Sequence, residues 1–297
     1  MACFEGALAK EPRYADAAAG IARVHAIRSV LGWVAPHEAM PKARAAALRA
    51  LSMDDAVAEA HLSLTYVHHY YDWDWAAAEN EFQRAIELRS GGAASRSSYA
   101  VFLVNRGRFE EAAAQARHAV ELDPLSLPAN AYVALASLAV GRFDAAIDQA
   151  RRTLDLESTF FPVRRILADA LLAKGEYDEA LSLREQGRSD AQGDPIYESE
   201  LGVIYARVGR VEAREILDQL TERRKGGYLP AFCIARVHAG LGETDQAIDW
   251  FHQAYADRDG GCIILKTQSA AWRELAPLWS DPRFQALLER IERGGKD

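Results

Sequence analysis

Glycine recurs at a fixed spacing through the middle and the C-terminal part of the chain. Gly107, Gly141, Gly175 and Gly209 are each separated by 34 residues, and Gly242 follows after 33 more. A constant period of roughly 20 to 50 residues is typical of arrays in which each short supersecondary unit stacks on its neighbours. The repeat therefore constrains the architecture before any single motif is considered.

The residues that follow these glycines predict a helical hairpin. The segments "RGRFEEAAAQARHAVELDP", "VGRFDAAIDQARRTLDLES" and "KGEYDEALSLREQGRSDAQ" align without gaps. Glycine ends a first helix because it accepts a left-handed backbone conformation. An aromatic residue two positions later fills the space beside the turn, and an alanine five positions later lets two helices approach closely. The aromatic residues and alanines in question are Phe109, Phe143, Tyr177, Ala112, Ala146 and Ala180.

This pattern resembles the tetratricopeptide repeat, a helical hairpin with small and aromatic residues at fixed places. The resemblance implies an all-α, right-handed α-solenoid of about seven hairpins, in which the first helix of each hairpin forms a concave wall. The array is expected to occupy residues 15–262. Extending the register outward places the seven repeat starts near Ala15, Ala58, Ala93, Leu127, Phe161, Pro195 and Tyr228.

Both ends of the array are expected to depart from a full repeat. Residues 1–14 have the pattern of a second helix whose first helix is missing, so we expect the chain to have been excised from, or to follow, a longer polypeptide. Residues 263–297 predict a C-terminal capping segment, in which Asp281 caps a short amphipathic helix that begins at Pro282. Two irregularities interrupt the spacing, with nine surplus residues around "SVLGWVAPH" and one inside "YYDWDW".

The whole chain also resembles a bacterial subgroup of these arrays, found at the C-terminal end of multidomain signalling proteins. The likeness is carried by "YDWDWAAAENEFQRAIEL", "HAVELDPLSL", "GLGETDQAIDWFHQAYADRD" and "SDPRFQALL". In that subgroup the array follows a winged-helix DNA-binding domain, a serine/threonine kinase domain or a nucleotide cyclase domain. No residue of this chain matches any of these domains, so the resemblance does not say which one lies upstream.

Charge and cysteine usage exclude several classes of protein. The formal net charge of −8 disfavours a nucleic-acid surface, which needs clustered basic residues. Cys3, Cys233 and Cys262 have no CxxC spacing, which argues against a disulfide framework or a zinc knuckle and fits a reducing compartment. No apolar run approaches the roughly 18 to 20 residues of a membrane-spanning helix. We therefore expect a cytoplasmic protein with no membrane insertion and no direct nucleic-acid binding.

One segment, "VHHYYDWDW", has the composition of a metal or catalytic site. A metal site would require His68, His69 and an aspartate to converge. Successive helical residues point about 100° apart, so at most one histidine can join Asp72. The sequence therefore predicts no metal and no cofactor here.

The repeat register gives this segment a structural role instead. It places "YDWDW" at the turn of the second hairpin, where Trp73 and Trp75 are expected to fill the gap and Asp74 to cap the next helix. The chain contains no phosphate-binding glycine loop, nucleophile elbow or HExxH helix. No catalytic residue is predicted, and the protein is not expected to be an enzyme.

The favoured functional interpretation is a non-catalytic protein–protein interaction scaffold that binds a peptide or protein segment in its concave groove. A mixture of aromatic residues and both charge signs suits an extended peptide, and inward arginines favour acidic groups on it. The acidic residues among them argue against the lysine- and asparagine-based carboxylate clamp of some tetratricopeptide repeats. The residues expected to face inward are Arg23, Tyr66, His69, Tyr70, Asn105, Arg165, Asp169, Glu200 and Arg236.

A second interpretation stays open beside the first. The array could be the regulatory, sensor or dimerisation region of a larger bacterial signalling protein, such as an adenylate cyclase, a kinase or a transcriptional regulator. Its partner could then be an upstream domain of the same polypeptide or a second copy of the chain. The two interpretations differ in the partner and agree that the chain itself lacks catalytic residues.

Overall fold

A computed structural model describes residues 1–88, 92–191, 193–265, 267 and 272–294 of the 297-residue chain. These residues form seventeen α-helices, and no strand occurs among them. The predicted all-α fold is confirmed.

The helices pack as seven successive hairpins, preceded by one helix and followed by another. Helix α1 (Ala2–Lys10) precedes the array, α12 (Arg188–Ala191) is a single turn, and α17 (Pro282–Glu292) ends the fold. The pairs are α2 (Ala15–Val30) with α3 (Pro36–Met53), α4 (Ala58–Val67) with α5 (Trp75–Leu88), α6 (Ala93–Asn105) with α7 (Phe109–Leu122), α8 (Leu127–Ala139) with α9 (Phe143–Leu156), α10 (Phe161–Lys174) with α11 (Tyr177–Gln186), α13 (Pro195–Arg207) with α14 (Glu212–Lys225), and α15 (Ala231–Gly240) with α16 (Thr244–Ala256).

The repeated glycines end the first helices as the sequence predicts. Each has a left-handed backbone, and the amide of the next residue donates a hydrogen bond of 2.9 Å to a carbonyl five residues earlier in the helix. A residue with a Cβ would be strained in this conformation. The φ angles are 72° at Gly107, 78° at Gly141, 93° at Gly175, 71° at Gly209 and 77° at Gly242.

The alanines at the hairpin crossings are fully buried. Ala112, Ala146 and Ala180 have no accessible surface, which confirms that small residues stand where two helices approach. The aromatic residues beside the turns are less uniform. Phe109 is half-buried, whereas Tyr177 is 40% exposed and fills the space beside its turn only in part.

The two irregularities in the spacing change the helices themselves. Helices α2 and α3 have 16 and 18 residues, against 13 or 14 in α6 to α9, so the surplus residues lengthen both helices as well as their turn. The single surplus residue is absorbed by a π-helical turn, His68–Asp72, at the end of α4. Trp73 follows it with a left-handed backbone, φ 56°, and Asp74 caps α5 by accepting a hydrogen bond from the Ala77 amide at 3.0 Å.

The C-terminal segment begins its helix as the sequence predicts. Asp281 accepts a hydrogen bond from the Arg283 amide at 2.8 Å, and α17 begins at Pro282. Two 3₁₀ segments, Gly260–Ile264 and Arg273–Ser280, lie between the last hairpin and this helix. Together with α17 they bury the apolar face of the last hairpin.

The two ends of the array contact each other through Trp73. Its side chain is 1% exposed and belongs to the same apolar cluster as residues of α15, α16 and α17. The Trp73 ring lies 5.2 Å from the Tyr255 ring, and the Arg258 guanidinium lies 4.2 Å above it. Trp73 is buried as expected, but the last hairpin rather than its own turn covers this side chain.

Further contacts hold the same junction together. Arg106 of the third hairpin forms an ion pair of 2.9 Å with Glu292 of α17. On the other side, Gly32 lies so close to Pro230 that a Cβ on Gly32 would approach the proline ring to 2.6 Å. His37 reaches the Ala256 carbonyl at 3.4 Å. The array is therefore a ring in which the first and last hairpins meet.

The buried alanine at a hairpin crossing gives a stability prediction. Ala146→Leu is expected to overpack the crossing of α8 and α9 and to lower the free energy of unfolding by about 1 to 3 kcal/mol. Ala145→Leu is the matched control, because Ala145 is exposed on the same helix and should change stability by less than about 0.5 kcal/mol. Chemical denaturation measures both. Equal stabilities of the two variants would show that the helix register is misassigned.

Ring closure gives a second prediction. Trp73→Ala should lower the free energy of unfolding by about 3 to 5 kcal/mol, because it empties a buried site between the ends of the array. The control is Trp33→Ala, since Trp33 is 62% exposed and its loss should cost less than about 0.5 kcal/mol. Small-angle scattering should also show a larger radius of gyration for Trp73→Ala. An unchanged radius together with a small loss of stability would contradict the closure.

Candidate binding surface on the concave wall

The first helices of the hairpins line a cavity inside the ring, here named the central chamber. Its volume is about 370 Å³, and its wall comes from α2, α6, α8, α10, α13 and α15 together with the 3₁₀ segment Gly260–Ile264. Apolar residues of α10, α13 and α15 contribute to this wall, and charged side chains stand among them. They include Arg165, Asp169, Glu200 and Arg236.

A second cavity of about 290 Å³, here named the aromatic pocket, adjoins the central chamber at the N-terminal hairpins. Val30, Tyr70, Val101 and Tyr132 line both cavities, so the two share part of their wall. The rings of Tyr66 and Tyr70 stack within it at 5.7 Å. The lining residues are Ile27, Val30, Leu31, Thr65, Tyr66, His69, Tyr70, Phe82, Ser98, Val101, Phe102 and Tyr132.

His69 lies at the back of the aromatic pocket and is fully enclosed. Its Nε2 is 3.3 Å from the Asn105 side-chain nitrogen, and its ring meets the rings of Tyr70 and Phe102 edge-on. Burial, with a smaller contribution from Arg106, lowers the pKa of His69 to about 3. The imidazole is therefore neutral near pH 7 and contributes apolar surface and hydrogen-bonding capacity rather than charge.

A buried ion-pair network occupies the other half of the wall. The Glu200 carboxylate accepts hydrogen bonds from Arg165 and, at 2.5 Å, from Arg184. Arg184 also reaches Asp169 at 2.6 Å, and the Tyr197 hydroxyl donates to the Arg184 carbonyl. These contacts hold the guanidinium and carboxylate groups in fixed positions.

Arg184 is a member of this network that sequence reasoning missed. It lies on α11, a second helix, and its side chain reaches through to the concave wall. The repeat register contained a signal, because Arg184 stands 34 residues after Ala150 and 68 after Ala116. Both alanines are fully buried, so a charged residue at this position had to be paired.

Arg236 is neutralised by the C-terminal segment. Its Nε and Nη2 donate to one oxygen of Glu274 at 2.9 and 2.7 Å, and its guanidinium lies 4.4 Å from the centre of the Trp272 ring. Glu200 is more distant, at 3.9 Å. Residues 263–297 were expected only to cap the array, whereas Trp272 and Glu274 of this segment contact Arg236 on the concave wall.

The network shifts the titration of its carboxyl groups in opposite directions. Burial disfavours the charged form of Glu200, but Arg165 and Arg184 outweigh burial and lower its pKa to about 2. Asp169 is half-buried, and desolvation raises its pKa despite the neighbouring Arg184. Burial raises the pKa of Asp259 on the chamber wall to about 6, although this carboxylate accepts hydrogen bonds from the Gly261 and Phe232 amides.

Eight of the nine residues predicted to face inward line the central chamber, the aromatic pocket or both. The exception is Arg23, which is exposed on α2 and forms an ion pair of 2.7 Å with Glu59. Within the eight, Glu200 and Arg236 are buried and paired, so neither presents a free charge. Whether these residues bind a ligand stays a prediction.

The "VHHYYDWDW" segment separates its two histidines. His68 Nδ1 lies 2.9 Å from an Asp72 oxygen, and Arg44 also contacts this carboxylate, whereas His69 points into the aromatic pocket region. Within the described ranges no cluster of three or more His, Cys, Asp and Glu side chains has the geometry of a metal site. Cys233 and Cys262 are both buried, and burial raises the pKa of each thiol.

Family models for the tetratricopeptide repeat match residues 67–126 and 137–199. This chain is a tetratricopeptide-repeat protein. The repeats place it among protein–protein interaction scaffolds. A comparison with curated proteins gave no significant match. The resemblance to arrays of multidomain signalling proteins stays a prediction.

Solved structures with the same fold have low sequence identity to this tetratricopeptide-repeat chain. A tetratricopeptide repeat protein from Parabacteroides merdae is 14% identical, with 86% of this chain and 93% of that chain covered and a TM-score of 0.54. Yeast Tom70 is 15% identical, with 97% of this chain and 61% of the Tom70 chain covered and a TM-score of 0.55. A thermophilic tetratricopeptide-repeat protein from Thermus thermophilus is 21% identical, with 59% of this chain and 92% of that chain covered and a TM-score of 0.50. These similarities establish the solenoid fold alone.

Within the described residues, no helix of the array combines the length and the apolar character that crossing a bilayer requires.

The ion-pair network predicts a pH dependence of stability. Because the pKa of Glu200 is lowered from 4.5 to about 2, its contribution to folding is fully present above pH 4.5 and is lost as the pH falls towards 2. Glu200→Gln leaves Arg165 and Arg184 without this charge and should cost about 3 to 5 kcal/mol at pH 7.

Denaturation of wild type and Glu200→Gln at pH 7, 4.5 and 3 tests this, and the difference between them should shrink with falling pH. Glu110→Gln is the control, because Glu110 is exposed on α7 and its change in stability should be small at each pH. If the difference in the free energy of unfolding between wild type and Glu200→Gln stays constant down to pH 3, the ionised Glu200 carboxylate does not stabilise the network.

Proposed function

We propose that this tetratricopeptide-repeat protein binds an extended segment of a partner protein inside its ring, with an apolar side chain of that segment in the aromatic pocket. The observation that carries the proposal is that the aromatic pocket, about 290 Å³, shares part of its wall with the central chamber, about 370 Å³. Concave pockets lined mainly by apolar and aromatic side chains with a few polar groups are typical of ligand sites.

The size of the space favours an extended segment. Ring closure through Trp73 and the close approach of Gly32 to Pro230 bring the ends of the wall together. Two adjoining cavities of this volume hold a few side chains and their backbone but exclude a folded domain. A chain terminus or an unfolded loop fits such a space, and main-chain groups of an extended peptide can pair with polar side chains on the wall.

The two halves of the wall have different chemistry. The aromatic pocket offers apolar surface from Ile27, Val30 and Phe102, bordered by the hydroxyls of Tyr66 and Tyr132. In the other half the arginines are already paired with carboxylates, so the expected preference of Arg165 and Arg236 for acidic groups is reduced. An apolar anchor on the partner therefore contributes most of the binding energy.

The regulatory interpretation uses the same surface. A segment from an upstream domain of a longer polypeptide would meet the same requirements as a segment of a separate protein. The sequence resemblance alone supports control of an upstream kinase, cyclase or DNA-binding domain. The chemistry of the pocket does not distinguish a segment of such a domain from a segment of a separate protein.

Selection from a random peptide display library on the immobilised chain tests the proposal. Peptides enriched on wild type should share a large apolar residue, and Val101→Glu should weaken their binding at least about tenfold, because it places a charge between the two cavities. Leu125→Glu is the matched control, since Leu125 is 73% exposed on the α7–α8 turn and should leave binding unchanged.

Two results would count against the proposal once circular dichroism has shown that both variants are folded. One is the absence of any enriched sequence on wild type. The other is equal binding of the selected peptides to wild type and Val101→Glu, which would place the interaction on another surface.

A further inference from the structure

The segment from Trp272 to Ser280, here named the strap, lies across the concave wall of the C-terminal hairpins. Trp272 and Glu274 cover Arg236 of α15. Between them, the Arg273 guanidinium lies 5.1 Å from the centre of the Phe143 ring on α9. The strap therefore packs on the seventh hairpin, and its Arg273 side chain reaches the α8–α9 turn of the fourth.

The charge on the wall explains why an acidic residue occupies this position. The wall supplies three paired guanidinium groups, from Arg165, Arg184 and Arg236, and their direct carboxylate partners on the wall are Asp169 and Glu200. The third carboxylate in contact with this group comes from Glu274 on the strap, and both Arg236 and Glu274 are buried. Removal of the strap carboxylate leaves Arg236 with Glu200 alone, at 3.9 Å.

Two leucines anchor the strap in an apolar cluster, and Trp272 packs at the margin of the same apolar cluster. Leu275 and Leu278 are fully buried in the apolar cluster of the last hairpin and α17. Trp272 is half-buried and Arg273 is exposed at the start of the strap. The first three residues of the strap can therefore leave Arg236 while the leucines keep the C-terminal cap in place.

We propose that Trp272 to Glu274 acts as an intramolecular ligand of the concave wall, and that the partner segment displaces it with a carboxylate and an aromatic residue two positions earlier. The proposal rests on the proposed function, since it defines a second subsite of the same wall. The chemistry follows from Arg236, because a guanidinium pairs strongly with carboxylates and stacks on aromatic rings. In the free chain, the strap limits access to this subsite.

A peptide with the sequence of the strap provides a direct test. Fluorescently labelled WRELAPL is titrated into wild type and into the Trp272→Ala, Glu274→Gln double variant, and fluorescence anisotropy reports binding. The double variant should bind the peptide at least about tenfold more tightly than wild type, because the intramolecular competitor has a high effective concentration. Glu110→Gln has the same change in charge on an exposed helix and should bind like wild type.

Two further measurements identify the contact. The peptide WRQLAPL should lose binding to the double variant, and Arg236→Gln in the double variant should abolish binding of WRELAPL. The Trp272→Ala variant keeps the Arg236–Glu274 ion pair, and it should bind with an affinity between those of wild type and the double variant. This variant keeps the test decisive if the double variant does not fold.

Three outcomes would overturn the inference. They are equal affinities of wild type and both strap variants, binding of WRQLAPL as strong as that of WRELAPL, and binding that survives Arg236→Gln. Ser98→Glu should not alter binding of WRELAPL, because Ser98 lines the aromatic pocket and not the central chamber. Failure of this inference is thus distinct from failure of the aromatic pocket to bind library peptides.

Discussion

The packing of Trp73 against the last hairpin determines the geometry of the concave surface. In an open solenoid each repeat contacts only its neighbours, and the concave side is a groove with free ends. Here the turn of the second hairpin is buried by Tyr255 and Arg258, and the third hairpin is tied to Glu292. The groove becomes a chamber because of these contacts, so any ligand meets the first and last hairpins together.

An irregularity within the repeat makes this contact. The surplus residue of the second hairpin is absorbed in the π-helical turn His68–Asp72, and Trp73 takes the left-handed conformation that glycine has in later repeats. A non-glycine residue in that conformation is strained by about 1 to 3 kcal/mol. Burial of the Trp73 ring between Tyr255 and Arg258 compensates for this cost. The departure from the consensus is therefore part of the closure rather than a defect in the repeat.

Features that depend on position within one repeat could be predicted from the sequence. The left-handed glycines, the buried alanines, the Asp281 cap and most of the inward residues all follow from register. Contacts between distant hairpins could not be predicted, because they depend on curvature accumulated over seven units. The packing of Trp73 on Tyr255 and the pairing of Glu274 with Arg236 are of this second kind. Arg184 is intermediate, since the register marks its position as buried but does not identify its partners.

The two halves of the wall differ in how firmly their side chains are held. A buried ion pair loses hydration energy, and breaking one leaves an uncompensated charge, so the network around Glu200 favours a single arrangement of α10, α11 and α13. The aromatic pocket has no comparable set of paired charges among its described lining residues and can adjust its side chains to different apolar groups. A segment that enters the ring therefore meets a half with fixed charges and a half with adaptable apolar surface. In the proposed binding mode, the first half selects for charge and position, and the second half contributes most of the affinity.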